Sequence, residues 1–286
     1  MFLEFYQHLP QTINPIAFTI GFLSVRWYSL MYLVGFVVVC GLLQWRISKG
    51  EARNIFQTSK SEFQNTIFDL TLIAFVGGLV GGRLGYVFFY NLSYFWIHPL
   101  QIISPYSFDG GKFEGLYGMS YHGAMMGAIF GTCLFAKIKK LNFFAYADFV
   151  VPALPLGYFF GRIGNFLNGE LIGRATSSKL GVYFASSPNV LSYPSQLLEA
   201  LAEGILLFVF LWKFRNEFKM QSGSLLVGYI FSYNVVRFVC EFFRSPDAQI
   251  GFVFWGLTMG QTLSFIFILI SLWWLFLKNK KSATIK

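Results

Sequence analysis

Trp27-Tyr-Ser-Leu-Met-Tyr-Leu-Val-Gly-Phe-Val-Val-Val-Cys-Gly-Leu-Leu-Gln-Trp45 carries no charge and is closed by a tryptophan at each end. As a helix rising about 1.5 Å per residue it suits a hydrocarbon core of about 30 Å, and tryptophan favours the two interfaces. Outward from this run lie six further predominantly apolar runs of spanning length. The further runs are about Phe68–Tyr90, Tyr117 to just before Lys137, Phe144–Ile163, Gln196–Trp212, Gly223–Phe243 and Phe254–Leu277. The expected fold is an all-α polytopic membrane protein with seven transmembrane helices. Pro152 and Pro155 fall inside the fourth run and predict a kinked or broken helix.

Composition excludes a soluble domain. Of 286 residues, 12% are charged and 55% hydrophobic, with a mean hydropathy of +0.56; soluble proteins carry about 25% charged residues. A net charge of +9 raises the question of a nucleic-acid partner, and the placement of the charge answers it. Fourteen of the 22 basic residues occupy four alternate connections. These are Arg46, Lys49, Arg53 and Lys60; Lys137, Lys139 and Lys140; Lys213, Arg215 and Lys219; and Lys278, Lys280, Lys281 and Lys286. The positive-inside rule puts them in the cytoplasm, with the N-terminus outside and the C-terminus inside. No nucleic-acid partner is implied.

The chain reads as a single integral membrane domain over 1–286. Residues 1–26, broken by Pro10, Asn14, Pro15 and Gly21, predict an interfacial or re-entrant segment at the outer face. Residues 165–195 are long enough for a small extracytoplasmic subdomain between helices 4 and 5. Cys40, Cys133 and Cys240 sit singly in apolar runs without ligand spacing, so they read as buried structural cysteines, with no disulfide or metal site.

One stretch breaks the apolar character: Gly161-Arg-Ile-Gly-Asn-Phe-Leu-Asn-Gly-Glu-Leu-Ile-Gly-Arg174. Polar groups at membrane depth are costly unless partnered, so this stretch is a functional-site candidate. The predicted topology carries Arg162 and Asn165 to the outer end of span four. It puts His122 in the first outer turns of span three, Arg26 and Tyr28 at the outer start of span one, and Arg83 in the outer half of span two. Arg237, Glu241 and Arg244 fall in the outer third of span six; their i, i+4, i+7 spacing predicts one stripe on one face. Structural readings stand beside the functional ones. Arg26 and Arg244 could snorkel, Glu241 could only neutralise its arginines, and His122 could be a packing residue. Gly77, Gly81 and Gly85, and Gly118, Gly123, Gly127 and Gly131, form small-residue edges that favour helix packing. Asn168-Gly169 predicts a turn with positive φ at glycine.

Arginines beside glycine-rich backbone at headgroup depth point to an anion, because guanidinium forks match phosphate. A phospholipid headgroup is the anion available there. GxSxG and HExxH signatures are absent. A flippase or anion transporter would draw polar groups to the bilayer midplane, whereas these gather on one side. A receptor-like seven-span binding protein leaves the arginines unexplained.

Gly161–Arg174 resembles the signature of the bacterial phosphatidylglycerol–prolipoprotein diacylglyceryl transferases. Similar matches follow in family order: Arg26-Trp-Tyr-Ser-Leu-Met-Tyr32, Gly81-Gly-Arg-Leu-Gly-Tyr86, Tyr121-His-Gly123, Pro194-Ser-Gln-Leu197 with Glu199, and Arg237-Phe-Val-Cys-Glu-Phe-Phe-Arg-Ser-Pro-Asp247. Two positions depart from the pattern, Ala124 after Gly123 and Tyr193 before Pro194. The resemblance implies transfer of a diacylglyceryl group from phosphatidylglycerol to the lipobox cysteine of a preprolipoprotein, at the outer face of the bacterial cytoplasmic (inner) membrane. It implies that Arg162 holds the phosphate, that Arg237 stabilises the leaving phosphate, and that Asn165, Glu170 and Gly173 shape the site. Glu241 and Arg244 would order the opposite side, Tyr28 would line the pocket, and His122 would be the natural base for the thiol. An arginine-lowered thiol pKa is the alternative to a dedicated base. No cofactor or metal is implied; the partners are phosphatidylglycerol, the lipobox segment and membrane lipids. Arg83 and Arg174 receive no role.

Overall fold

The computed structural model describes residues 2–21, 23–51, 59–104, 118–217, 223–246 and 251–284. Tyr117 as the start of the third span, the basic residues Arg53, Lys112, Lys219 and Lys286, and Asp247 lie outside the described residues.

Four helices are long and apolar enough to cross a membrane: Trp27–Ser48, Lys60–Tyr90, Phe143–Asn168 and Met259–Leu277. Two shorter apolar helices, His122–Ile138 and Ser224–Cys240, add to them. The protein is a polytopic membrane protein, and its side chains are sorted accordingly. Phe89, Trp96, Phe130, Leu206 and Phe276 point outward, while Arg46, Asp148, Gln196, Glu199, Glu203 and Gln261 are buried. Lipid is as apolar as leucine, so it is the polar groups that must find partners inside.

The chain forms two compact units. One comprises Gly21–Leu23 and Arg46–Tyr146. Its frame is α3 (Lys60–Tyr90) against α5 (Tyr121–Ile138), with the short helix α4 (Leu92–Ile97) and a 3-10 turn at Pro99–Ile102. The glycine edges let these two backbones touch. A Cβ on Gly81 would lie 2.4 Å from the Gly123 carbonyl oxygen, and one on Gly127 would lie 2.2 Å from that of Gly77. The expected edge is corrected at its start: α5 begins at Tyr121, so Gly118 precedes the helix, in the left-handed region at φ 83° beside the Tyr86 ring. Cys133 is exposed on α5 and Cys40 is only partly buried, which corrects their reading as buried residues; a small, weakly polar thiol on an apolar helix surface needs no partner.

The other unit comprises Met1–Ile20, Ser24–Trp45 and Ala147–Lys286. It contains α2 (Trp27–Ser48) up to Trp45, and the part of α6 (Phe143–Val150) from Ala147 followed by α7 (Leu154–Asn168). The join between α6 and α7 is a 3-10 turn at Val151–Ala153, the break that Pro152 and Pro155 predict. Next come α8 (Ser195–Glu199), a π-helical turn at Ala200–Leu206 and α9 (Leu207–Phe214), then α10 (Ser224–Cys240) and α11 (Met259–Thr284). Asp148 caps α10 across the fold, accepting from the Gly223 N–H (3.0 Å) and the Leu226 N–H (2.9 Å). Orphan amides at a buried helix start need such an acceptor.

Short strands decorate the helices. The N-terminal segment is not featureless: α1 (Phe2–Thr12) leads into β1 (Ile16–Ile20) and β2 (Leu23–Arg26). Helix α1 docks on the hairpin of β3 (Val182–Phe184) and β4 (Ser187–Ser192) inside the 165–195 connection. The Tyr6 hydroxyl donates to the Leu180 carbonyl at 2.9 Å, and His8 stacks on Tyr183. Phe166, Val182 and Phe184 form the small core beneath. A further hairpin, β5 (Phe252–Phe254) with β6 (Leu257–Thr258), precedes α11, so the last helix starts later than hydropathy suggests.

Replacing Gly127 by valine drives a side chain into the α3 backbone. We expect destabilisation by at least about 1–3 kcal/mol, read as a lower thermal midpoint in detergent. Gly228→Ala, inside α10 with no atom within 4 Å of the new Cβ, does not lower the midpoint and raises it slightly through helix propensity.

Candidate active site

Helix α7 delivers Arg162 and Asn165 in its last turns and stops at Gly169. That residue has φ 69° and donates its N–H to the Asn165 and Phe166 carbonyls. Only glycine adopts this left-handed cap without a Cβ penalty. The chain then folds back. The Glu170 N–H donates to the Asn165 carbonyl (3.0 Å), and the Glu170 carboxylate accepts from the side-chain amides of Asn165 (3.5 Å) and Asn168. Gln196, buried in α8, donates to the Glu170 carbonyl, and Ser195 Oγ donates to the Leu171 carbonyl at 2.9 Å. Leu171 itself sits at φ 57°, a costly conformation for leucine that these contacts hold in place.

Gly173 is threaded between two backbones. A Cβ there would lie 2.2 Å from the Tyr193 carbonyl oxygen and 2.7 Å from that of Phe243. Its N–H donates to Tyr193 O (3.2 Å), and the neighbouring Arg174 N–H donates to Phe243 O (2.9 Å). Arg174 then staples the loop to the end of α10. Its Nε donates to the Arg244 carbonyl (2.9 Å), Nη2 reaches the Glu241 carbonyl (3.5 Å), and its guanidinium lies 5.7 Å from the centroid of the Phe252 ring.

The centre is a buried ionic cluster. Arg162 Nε lies 2.8 Å from Glu199 Oε2 and 2.6 Å from the Tyr158 hydroxyl, and Nη1 donates to Asn165 Oδ1 at 3.3 Å. The Tyr158 ring lies beneath the same guanidinium, 4.7 Å from its carbon. Arg237 Nη1 lies 3.0 Å from Glu199 Oε1 and 3.5 Å from Glu203 Oε1, and Nη2 donates to Glu241 Oε2. Side-chain exposure is 12% for Arg162, 10% for Arg237 and 1% for Glu199. Glu199 therefore bridges two arginines from different helices. Glu203 lies in the π-helical turn, where Gly204 lets Phe159 approach to 2.7 Å of a Cβ position. Such turns recur at functional sites because the extra residue redirects side chains.

Glu241 is anchored on its other oxygen. Thr258 Oγ1 donates to Glu241 Oε1 at 3.1 Å. Thr258 is also half of a capping box at the start of α11: the Gln261 N–H donates to Thr258 Oγ1 (3.2 Å), and the Thr258 N–H donates to Gln261 Oε1 (3.1 Å). Gly260 leaves room for the carboxylate, since a Cβ there would lie 2.8 Å from Glu241 Cδ.

Arg162, Asn165, Glu170, Gly173, Arg237 and Glu241 thus belong to one network. The expected stripe is corrected in one respect. Helix α10 ends at Cys240, so Arg244 lies beyond it, in extended backbone bridged to Gly173. Tyr28 is half-buried at the start of α2, where the backbone passes 3.3 Å from a Cβ position on Gly164, and its hydroxyl donates to Tyr32 (3.1 Å). His122 belongs to the other unit, exposed in the first turn of α5 behind the N-cap Ser120. Arg83 in that unit is a backbone cap: it donates to the carbonyls of Ile102 (2.8 Å), Gln101 (2.6 Å) and Gly118 (3.3 Å). Sequence reasoning missed Glu203, Tyr158, Thr258 and Gln261 and gave Glu199 no role. The available signals were two acids four residues apart in an apolar run, and Thr258-x-x-Gln261 before another.

A family model described as Prolipoprotein diacylglyceryl transferase matches residues 15–277. Among similar curated proteins are phosphatidylglycerol–prolipoprotein diacylglyceryl transferases from three bacteria. That of Chlorobaculum tepidum is 44% identical over 93% of this chain and 90% of its own length. Those of Campylobacter jejuni (42%; 98% and 99%) and Desulfotalea psychrophila (41%; 98% of each) are similar over nearly their whole lengths.

Thr258→Val removes the cap acceptor and the donor to Glu241, and about 1 kcal/mol of stability goes with the cap. Thermal unfolding in detergent should show a lower midpoint for valine and a near-normal one for Thr258→Ser; equal midpoints for the two would refute the assignment.

Proposed function

The chain belongs to the prolipoprotein diacylglyceryl transferase family, and on that premise we propose that it moves the diacylglyceryl group of phosphatidylglycerol onto the lipobox cysteine of a preprolipoprotein. The thiolate sulfur attacks the glyceryl carbon that bears the phosphate ester, and a carbon–sulfur bond forms as the carbon–oxygen bond breaks. The products are a thioether-linked diacylglyceryl prolipoprotein and glycerol-1-phosphate. The observation that carries this reading is the pair of guanidiniums, Arg162 from α7 and Arg237 from α10, held together among buried carboxylates in apolar helices. Guanidinium forks match phosphate oxygens and stabilise charge that develops on a leaving phosphate.

In this scheme Arg162 anchors the headgroup phosphate. Its Nη2 donates no hydrogen bond among the described residues and remains available to a ligand. Arg237 stabilises the departing phosphate. Asn165, Glu170 and Gly173 shape the loop that receives the headgroup, Glu241 and Arg244 order the facing segment, and Tyr28 lines the pocket. His122 takes the thiol proton, since a thiol of pKa about 8.5 is a poor nucleophile until ionised and a neutral imidazole nitrogen can accept that proton.

The proposed setting is the bacterial cytoplasmic membrane, with seven spans: α2, α3, α5, α6–α7, α8–α9, α10 and α11. The alternation of basic connections supports an outer N-terminus, a cytoplasmic C-terminus and a site at the outer leaflet. The 1–26 segment and the 165–195 insertion then lie on the outer face of one integral domain.

Three experiments test this. Purified protein with radiolabelled phosphatidylglycerol and a lipobox peptide should label the peptide and release glycerol-1-phosphate. Label moved intact across liposomes without transfer would instead make the protein a lipid transporter. Arg162→Ala should lose lipid affinity and turnover together, and His122→Gln should bind lipid but turn over at least about 100-fold more slowly; near-normal turnover removes His122 from the mechanism. In intact cells a cysteine at Lys179 should react with an impermeant maleimide and one at Lys139 should not; the reverse pattern inverts the topology.

A further inference from the structure

The ionic cluster holds one more carboxylate than guanidiniums: Glu199, Glu203 and Glu241 against Arg162 and Arg237. Such a cluster is poorly prepared to receive another anion, although the proposed substrate brings a phosphodiester. One carboxylate must yield, and the geometry distinguishes the three. Glu241 is fixed from both sides, by Arg237 and by Thr258 Oγ1, with Gly260 packed against it. Glu203 lies farther from Arg237, at 3.5 Å, and is held from its other side by the Tyr158 hydroxyl and the Cys240 thiol. Glu199 alone lies against both arginines, with one oxygen 2.8 Å from Arg162 Nε and the other 3.0 Å from Arg237 Nη1. Both of its oxygens are fully buried, yet neither accepts an aligned hydrogen bond among the described residues. A buried carboxylate held by charge without aligned donors is incompletely compensated for its desolvation.

We infer that Glu199 is a resident counter-ion occupying the position between Arg162 and Arg237 that the phosphate of the substrate takes, so that phosphate binding is an exchange. The inference rests on the proposed binding of phosphate by those two arginines. Carboxylate and phosphate oxygens offer a guanidinium the same fork, so one replaces the other without moving either arginine. Before binding, Glu199 screens the repulsion between the two cations and keeps them at a fixed spacing. After transfer, its return between them helps expel glycerol-1-phosphate. Glu199 is on this account a positioning residue and a competitor of the ligand at once, which sets a sign that a merely structural ion pair would not.

The test is inhibition of the full-length detergent-purified enzyme by glycerol-1-phosphate, with thermal unfolding run in parallel to show that each variant is folded. Glu199→Gln keeps the shape and one acceptor oxygen but removes the competing charge. It should bind glycerol-1-phosphate roughly tenfold more tightly, the scale of one charged contact, while turnover falls because the product leaves slowly. Glu199→Asp, one methylene shorter, can reach only one arginine and should bind with intermediate strength, so it decides the question if the glutamine variant does not fold. Unchanged or weaker inhibition in the glutamine variant, or in the aspartate variant where only that one folds, overturns the exchange. If Arg162→Ala in the same assay weakens inhibition while Glu199→Gln does not strengthen it, phosphate binding by the arginines stands and the exchange alone fails. If Arg162→Ala leaves inhibition unchanged, both fall.

Discussion

The contact on which the functional unit depends is the buried carboxylate of Glu199 between Arg162 and Arg237. It ties α7, α8 and α10 at one point by charge, in surroundings where apolar packing discriminates weakly between one helix arrangement and another. Removing one partner of such a pair leaves a bare charge in a low-dielectric medium, at a cost of about 3–5 kcal/mol. Helix positions are thereby coupled to site chemistry: the groups that would meet a phosphate are also those that hold the helices in register.

Backbone devices keep the cluster in place. The left-handed cap at Gly169 turns the chain so that Glu170 can clasp Asn165 and Asn168. Gly173 lets the loop lie flat between Tyr193 and Phe243, and Arg174 staples it to the end of α10. The capping box of α11 fixes Glu241, which in turn holds Arg237. Each device pairs backbone or carboxylate groups within the fold, so local structure and site geometry have a common cause.

Much of the site was legible because charge is conspicuous in an apolar chain. Arg162, Asn165, Glu170, Arg237 and Glu241 stand out by composition alone, and Gly161–Arg174 marks one side of the network. Glu203 and Tyr158 did not stand out, because their importance lies in which helix faces them. Arg83 and Arg174 look alike in sequence, as arginines beside glycine. In the structure both bind main-chain carbonyls. The stripe expected from Arg237 to Arg244 failed because periodicity assumes that the helix continues, whereas α10 stops at Cys240 once the chain can bridge to Gly173.

By itself the sequence determined the membrane class, the broken helix at Pro152 and Pro155, the glycine edges of α3 and α5 and the candidate polar residues Arg162, Asn165, Glu170, Arg237 and Glu241. All of these follow from composition and local stereochemistry. Only the tertiary structure decided that Glu199 bridges two arginines, that Thr258 anchors Glu241 and that α1 docks on the β3–β4 hairpin. Those are contacts between segments far apart in the chain, and a buried charge takes its role from the partner that neutralises it.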